Sequence, residues 1–88
     1  MRVIFGKQFS KDLLKIKDLS IKKEIIQAIV ELESSQNIQD YSNLKKMKGH
    51  SEAYRIRIGK YRLGIYFDGE VVELARFAKR EDIYKLFP

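Results

Sequence analysis

The sequence has 88 residues, a formal net charge of +6 and no cysteine, with 44% hydrophobic and 34% charged residues. This length fits one domain, residues 1–88, around a modest core, and the hydrophobic content excludes a disordered chain. The lack of cysteine excludes disulfides and thiolate metal sites. No stretch has the apolar run of a signal peptide or the length of a membrane span, so we expect a cytoplasmic protein with no membrane contact.

The N-terminal part of the chain predicts one strand and two helices. The apolar, β-branched residues 3–5 predict the strand. Helical spacing of apolar residues predicts a helix from its N-cap Ser10 to about Lys17, with Asp12 in the first turn. A second helix is predicted after its N-cap Ser20. Its apolar stripe is formed by Ile21, Ile25, Ala28, Ile29 and Leu32. The apolar stripe of such a helical hairpin has to be buried, and we expect it to pack on the apolar face of a sheet.

A β-hairpin is predicted near the centre of the chain, after a polar connection over residues 34–43. Residues alternate with period two on both sides of Gly59-Lys60, which predicts two paired strands with a turn between them. On the first strand Arg55 and Arg57 share one face, and on the second strand Arg62 lies on the matching face. We therefore expect three guanidinium groups in one cluster on an open sheet face.

The positive charge of the chain is concentrated on this hairpin and the segment before it. From residue 45 to residue 62 the only acid is Glu52, whereas the rest of the chain has equal numbers of basic and acidic residues. Besides the three arginines, the basic residues of this stretch are Lys45, Lys46, Lys48 and Lys60. A local excess of this kind is typical of a site for a polyanion. For the first three of these lysines, a solvated loop is the alternative interpretation.

The C-terminal part predicts a third strand of this sheet and a short helix or turn. Asp68-Gly69 is a turn signal, and residues 71–78 form the strand after it. The apolar residues of that strand change parity, which a bulge would explain, but the pattern does not place the bulge. Arg76 shares parity with Arg80, so it either extends the arginine cluster or is simply a surface residue. The predicted fold class is α+β, in which the first strand and the helical hairpin pack on a small, mostly antiparallel sheet.

Three segments in order, LKKMKGH (residues 44–50), YRIRIGKYR (54–62) and KREDIY (79–84), resemble the RelE/ParE toxin superfamily of toxin–antitoxin systems. The resemblance spans essentially the whole chain, and the RelE branch is the closer match. It implies a type II toxin that enters the ribosomal A site and cuts messenger RNA there as an endoribonuclease. It also implies a cognate antitoxin that covers the basic face, and no cofactor.

Carried over residue by residue, the resemblance implies roles for individual side chains. Catalytic roles fall on Arg55, Arg57, Arg62, Arg80 and Tyr84. We expect RNA binding by the other basic residues around them, which are Lys45, Lys46, Lys48, Lys60, Arg76 and Lys79. No cluster of acids and histidines suits a metal ion, so no metal site is predicted.

Cleavage of RNA by its own 2′-hydroxyl needs a general base and stabilisation of the phosphorane charge. Arginine supplies the second through bidentate contacts, but its pKa above about 12 makes it a poor base. The candidates for the general base are therefore Tyr84, Lys79, Glu52 and His50.

Two other functions fit the same residues. A ParE-like inhibitor of DNA gyrase would share the fold, bind a protein target and cut no RNA. A non-catalytic RNA-binding module would use the same arginines for phosphates and need no proton carrier. Tyr84→Ala distinguishes this module from an enzyme. If Tyr84 is catalytic, the variant should still bind RNA but no longer cleave it.

Overall fold

A five-stranded mixed sheet forms the centre of the protein in a computed structural model, which describes residues 1–41 and 43–88. The strands are β1 (Arg2–Phe5), β2 (Leu44–Lys46), β3 (Ala53–Ile58), β4 (Tyr61–Phe67) and β5 (Val71–Lys79), in the spatial order β1-β5-β4-β3-β2. The helices are α1 (Lys7–Leu14), α2 (Leu19–Ser34) and α3 (Arg80–Leu86). β1 runs parallel to β5 and all other pairs are antiparallel, so the predicted α+β fold is confirmed.

Helix α1 begins four residues earlier than predicted. Its N-cap is Gly6, not Ser10, and the chain passes directly from β1 into the helix. Gly6 donates its backbone N–H to the Leu74 carbonyl at 2.8 Å, and a Cβ on Gly6 would lie 2.6 Å from that oxygen. The close approach to β5 therefore fixes the start of α1. As a consequence Asp12 lies near the end of the helix, where it is buried.

Helix α2 also begins earlier, because Asp18 and not Ser20 is its N-cap. The Asp18 carboxylate accepts hydrogen bonds from the backbone N–H and the hydroxyl of Ser20, at 2.9 and 2.7 Å. A carboxylate is favoured there over a hydroxyl because it also interacts with the positive end of the helix dipole. The predicted polar connection, residues 34–43, contains a 3₁₀ turn (Ile38–Asp40), and Ser42 within it lies outside the described residues.

The main core lies between helices α1 and α2 and one face of the sheet. The predicted stripe of α2 is confirmed, because Ile25, Ala28 and Leu32 are buried and the other two members pack against the core. None of the described helices is long and apolar enough to cross a membrane.

A bulge in β5 explains the change of parity in that strand. Gly64 pairs with Arg76, whereas the next residue of β4, Ile65, pairs with Leu74. Ala75 is therefore the extra residue on β5. Because of it, Leu74 before the bulge and Phe77 after it both face the main core.

Strand β2 was not predicted, because the sequence there shows only three strand residues, two of them lysines. It forms the sheet edge beside β3, with Lys45 opposite Arg55. Directly opposed residues of an antiparallel pair share a face, so Lys45 lies on the same face as the arginines. A short edge strand with exposed lysines also discourages pairing with other chains.

Candidate functional site

An open cleft of about 450 Å³ lies on the sheet face that α1 and α2 leave uncovered. It is lined by Asn43, Leu44, Lys45, Arg55, Arg57, Arg62, Arg80 and Tyr84. The five side chains expected to be catalytic therefore lie in one cleft, although three come from the β3–β4 hairpin and two from α3. Their catalytic roles stay predictions.

The β3–β4 hairpin positions three of the arginines. Arg57 is paired directly with Arg62 across the two strands, and Arg55 is paired with Gly64. Gly59 has a positive φ of 57°, which the tight turn requires and glycine tolerates. The guanidinium of Arg62 donates to the carbonyls of Gly59 and Tyr61, at 3.1 and 2.8 Å. The turn thus fixes both the pairing of the strands and the direction of Arg62.

In the described part of the chain, no carboxylate forms an ion pair with the arginines of the cleft. None of the lining side chains is acidic, and within residues 1–41 and 43–88 the only ion pair joins Arg76 to Asp12. Burial lowers the pKa of Arg62, and the other three arginines of the cleft lower it further. The guanidinium stays charged at neutral pH, so the cluster carries like-charge repulsion that a bound anion would relieve.

Tyr84 stacks on one of these arginines. The Arg55 guanidinium carbon lies 4.7 Å from the centre of the Tyr84 ring, within the range of a cation–π interaction. Hydrogen bonding and charge from Arg55 hold the pKa of Tyr84 below its ordinary value, and the charges of Arg80 and Lys45 act in the same direction. The Arg55 Nη1 atom is buried and has no hydrogen-bond partner among residues 1–41 and 43–88. A charged donor without an acceptor at the base of the cleft suits an anionic ligand.

The other three candidates for the general base lie outside the cleft lining. His50 is exposed beside a shallow hollow formed with residues 46–49 and 51, and Glu52 lines a small groove with Asp68 and Glu73. Lys79 is exposed at the end of β5. Among the described residues no three His, Cys, Asp or Glu side chains are grouped so as to hold a metal ion.

The remaining basic residues divide into two groups. Lys46 and Lys48 line a hollow of about 480 Å³ together with Lys45, Arg55 and Tyr84, so the basic surface continues from the cleft along β2. Lys60 is exposed in the hairpin turn.

Arg76 does not extend the arginine cluster, so the first of its two interpretations is wrong, and its role in RNA binding stays a prediction. Its Nε atom donates to Asp12 Oδ2 at 2.9 Å, and Arg76 is absent from the lining of the cleft. The reason is the buried carboxylate of Asp12 on α1, which accepts hydrogen bonds from both Nε and Nη2 of Arg76 and directs the guanidinium toward that helix.

Two lining residues, Asn43 and Leu44, were missed in the sequence. They lie at the start of β2, and only the pairing of this strand with β3 brings them beside Arg55 and Arg57. Residues 44–47 have an apolar residue at each end and two lysines between them, and this pattern does not alternate with the period of a strand.

Known proteins resemble this chain in both sequence and structure. Residues 3–84 match the family described as the ParE toxin of type II toxin–antitoxin system, parDE. The chain is 39% identical over 89 residues to the protein named Toxin RelE3 from Methanocaldococcus jannaschii, with 100% of both chains covered.

Two solved toxin–antitoxin complexes contain a chain with a similar structure. The RelB-RelE antitoxin-toxin complex from Methanococcus jannaschii matches with a TM-score of 0.82 and 36% identity, over 97% of this chain and 99% of that chain. The archaeal RelE-RelB complex from Pyrococcus horikoshii OT3 matches with a TM-score of 0.71 over 90% and 93% of the two chains. At 22% identity, this second likeness supports the fold alone.

Proposed function

Because the chain belongs to the RelE/ParE toxin superfamily of type II toxin–antitoxin systems, we propose that it is an endoribonuclease that cuts messenger RNA in the ribosomal A site. Such cleavage would inhibit translation and take place in the cytoplasm. The observation that carries the proposal is the cleft in which four arginines without carboxylate partners surround Tyr84. Relatives named RelE toxins support it as well.

The chemistry of the cleft suits cleavage by the substrate's own 2′-hydroxyl. The 2′-oxygen attacks the adjacent phosphorus, the bond to the 5′-oxygen breaks, and the products carry a 2′,3′-cyclic phosphate and a 5′-hydroxyl. Tyr84 takes the proton of the 2′-hydroxyl, because it is the one candidate base within the cleft and its pKa is lowered. The 5′-oxygen receives a proton from water.

The arginines act on the charge that develops at phosphorus. Arg57 and Arg62, paired across the hairpin, donate to the phosphorane oxygens through permanently charged hydrogen bonds. Arg80 supplies positive charge from the start of α3. Hydrogen bonding and charge from Arg55 favour the phenolate form of Tyr84. Lys46 and Lys48 contact phosphates of neighbouring nucleotides through the adjoining hollow.

The ribosome supplies what this small site lacks. With one proton carrier in an open cleft, the protein would cut free RNA slowly. Assembly on the ribosome would orient messenger RNA for in-line attack, and such orientation lowers the barrier without a further catalytic group. The purified protein should therefore cut ribosome-bound messenger much faster than naked RNA. Vigorous cutting of naked RNA at many positions would contradict this dependence.

An antitoxin is the expected protein partner. Solved complexes of similar chains are toxin–antitoxin complexes, which supports a partner of this type. Acidic residues of such a partner would neutralise the arginine cleft and block access of RNA.

The proposal is tested by mapping messenger 5′ ends on ribosomes after induced expression. The wild type should produce new 5′ ends within A-site codons, whereas Arg62→Ala and Arg80→Ala should produce few. Arg2→Ala is the matched control, because Arg2 is an exposed arginine on β1 outside the cleft. New ends of equal abundance in the wild type and both cleft variants would contradict the proposal.

The family description, which names ParE toxins, favours a second candidate function. A ParE-like inhibitor would reduce supercoiling by DNA gyrase and leave messenger RNA intact. Alanine at Arg55, Arg57 and Arg80 would then leave toxicity unchanged. A supercoiling assay with the purified protein distinguishes the two candidates.

A further inference from the structure

Helix α3 lies on the open face of the sheet, over a depression formed by small residues. Ala53 and Ala75 are buried there under Ile83 and Phe87 of the C-terminal segment, in a cluster separate from the main core. Gly64 of β4 completes the depression, because a Cβ at this position would lie 2.5 to 2.8 Å from three carbons of the Phe87 ring. The ring of Phe87 therefore rests directly on the backbone of Gly64.

Two attachments hold this helix in place. At its start, the backbone N–H of Arg80 donates to the carbonyl of Lys60 in the hairpin turn at 2.9 Å. At its end, Phe87 is 2% exposed, and its ring centre lies 5.0 Å from that of Tyr66. A helix of seven residues has little stability alone, so its position depends on these contacts.

Tyr84 lies between the two attachments and has little packing of its own. It is 58% exposed, and its interaction with the sheet is the stacking on Arg55. Tyr84 follows the buried Ile83, and Phe87 is the C-cap of α3, whose backbone N–H donates to the carbonyl of Ile83 at 2.8 Å. A shift of the C-terminal end of α3 would move the Tyr84 ring away from the guanidinium.

We propose that Phe87 is a positioning residue of this site, which rests on Gly64 and thereby holds Tyr84 over Arg55. Its effect on cleavage rests on the proposed nuclease function, whereas its effect on the placement of Tyr84 does not. Gly64 has the matching role, because a Cβ at this position would lie too close to the ring of Phe87. The site is thus assembled by an apolar contact that touches no substrate.

The test measures the placement of Tyr84 separately from cleavage. Tyrosine labelled with ¹³C at Cζ is titrated by NMR in the full chain, and Tyr84→Phe identifies the resonance. Phe87→Ala, which empties the depression, and Gly64→Ala, which overfills it, should both raise the pKa of Tyr84 toward its ordinary value. The same variants should reduce kcat for A-site cleavage by about 10²-fold, because misplacement by about 1 Å has effects of that size. KM should change little, since the arginines stay in place.

Leu86→Ala is the matched control, because Leu86 is a neighbouring apolar residue that is 41% exposed and lies outside the buried cluster. It should leave both measurements unchanged. Phe87→Leu, which refills most of the depression, should recover much of the loss. Unchanged resonances of Tyr54 and Tyr61 show that each variant is folded.

The outcomes separate the two claims. If Phe87→Ala and Gly64→Ala leave the titration of Tyr84 as in the wild type, the positioning role is overturned, whatever happens to cleavage. If the titration moves but the wild type does not cut messenger RNA, the nuclease function is overturned and the positioning role stands. If the titration moves and the cleavage rate does not fall, the role of Phe87 in catalysis is overturned.

Discussion

The two faces of the sheet differ in what their side chains do, although alternate residues of the same strands form both. On the face covered by α1 and α2, Ile56 and Leu63 are fully buried in the main core. On the open face, the residues beside them are Arg55, Arg57 and Arg62, which are charged and reach solvent. The period of two thus separates stability from function within single strands. Substitutions in the main core should change the free energy of unfolding, and substitutions of the cleft arginines should change activity.

The largest expected effect is on activity and comes from the open face. Tyr84→Phe removes the proton acceptor and should lower kcat for A-site cleavage by about 10²–10⁴-fold. Because the pKa of Tyr84 is lowered, the wild-type rate should rise with pH and level off below the ordinary tyrosine value of 10.0. The variant should lose this rise, and an unchanged pH profile of kcat in Tyr84→Phe would exclude Tyr84 as the base.

The covered face should give the largest effect on stability. Ile56→Ala deletes buried methyl groups and leaves a cavity, so it should lower the free energy of unfolding by about 2–5 kcal/mol. Ile26→Ala is the matched control, because Ile26 is 61% exposed on α2. Its effect should be about 0.5 kcal/mol or less. Urea denaturation measures both, and equal losses would contradict the assignment of the core.

A smaller loss of stability is expected from substitution of Asp12, which joins α1 to β5. Asp12 accepts hydrogen bonds from the Arg76 Nε atom and from the backbone N–H of Phe77, each at 2.9 Å. Asp12→Ala leaves both donors without this partner and should lower the free energy of unfolding by about 1–3 kcal/mol. Cleavage by the folded variant should stay near the wild-type rate, because Arg76 lies outside the cleft. A variant as stable as the wild type would show that this buried contact contributes nothing.

The smallest expected effect concerns the N-cap of α2 and depends on pH. Hydrogen bonds from the Ser20 hydroxyl and from the backbone of residues 20 and 21 hold the pKa of Asp18 below 3.8. A lowered pKa means that the folded state favours the carboxylate, so the stabilisation is present above pH 3.8 and is lost as the pH falls through the folded pKa. Asp18→Ala should therefore reduce stability at pH 7 and have a diminishing effect near pH 3. An equal loss at both pH values would contradict this role for the charge.

Local patterns in the sequence were enough to predict the hairpin that carries three of the cleft arginines, but not strand β2 at its edge. The β3–β4 hairpin was predicted correctly because period-two alternation, Gly59 and the paired arginines all indicate the same register. The Asp68-Gly69 turn was predicted for a similar reason, and Gly69 has a positive φ of 102°. The cluster of three arginines was predicted only from the alternation of side chains along the two strands.

The features that were missed depend on contacts between distant parts of the chain. The bulge at Ala75 follows from the pairing of β5 with β4, and the link between Asp12 and Arg76 spans 64 positions. Gly64 gives no sequence signal that a C-terminal ring rests on it. The N-caps were displaced because Asp18 and the backbone at Gly6 form better contacts than the serines that follow.

Purified Arg62→Ala, compared with the wild type on ribosomes programmed with a defined messenger, tests the separation of the two faces most directly. The free energy of unfolding should match that of the wild type, because the side chain contributes charge to the open face and nothing to the core. A-site cleavage should fall by about 10²-fold or more, as expected for the loss of a donor to the developing charge. Cleavage at the wild-type rate, or a fall in cleavage fully explained by unfolding, would contradict the account.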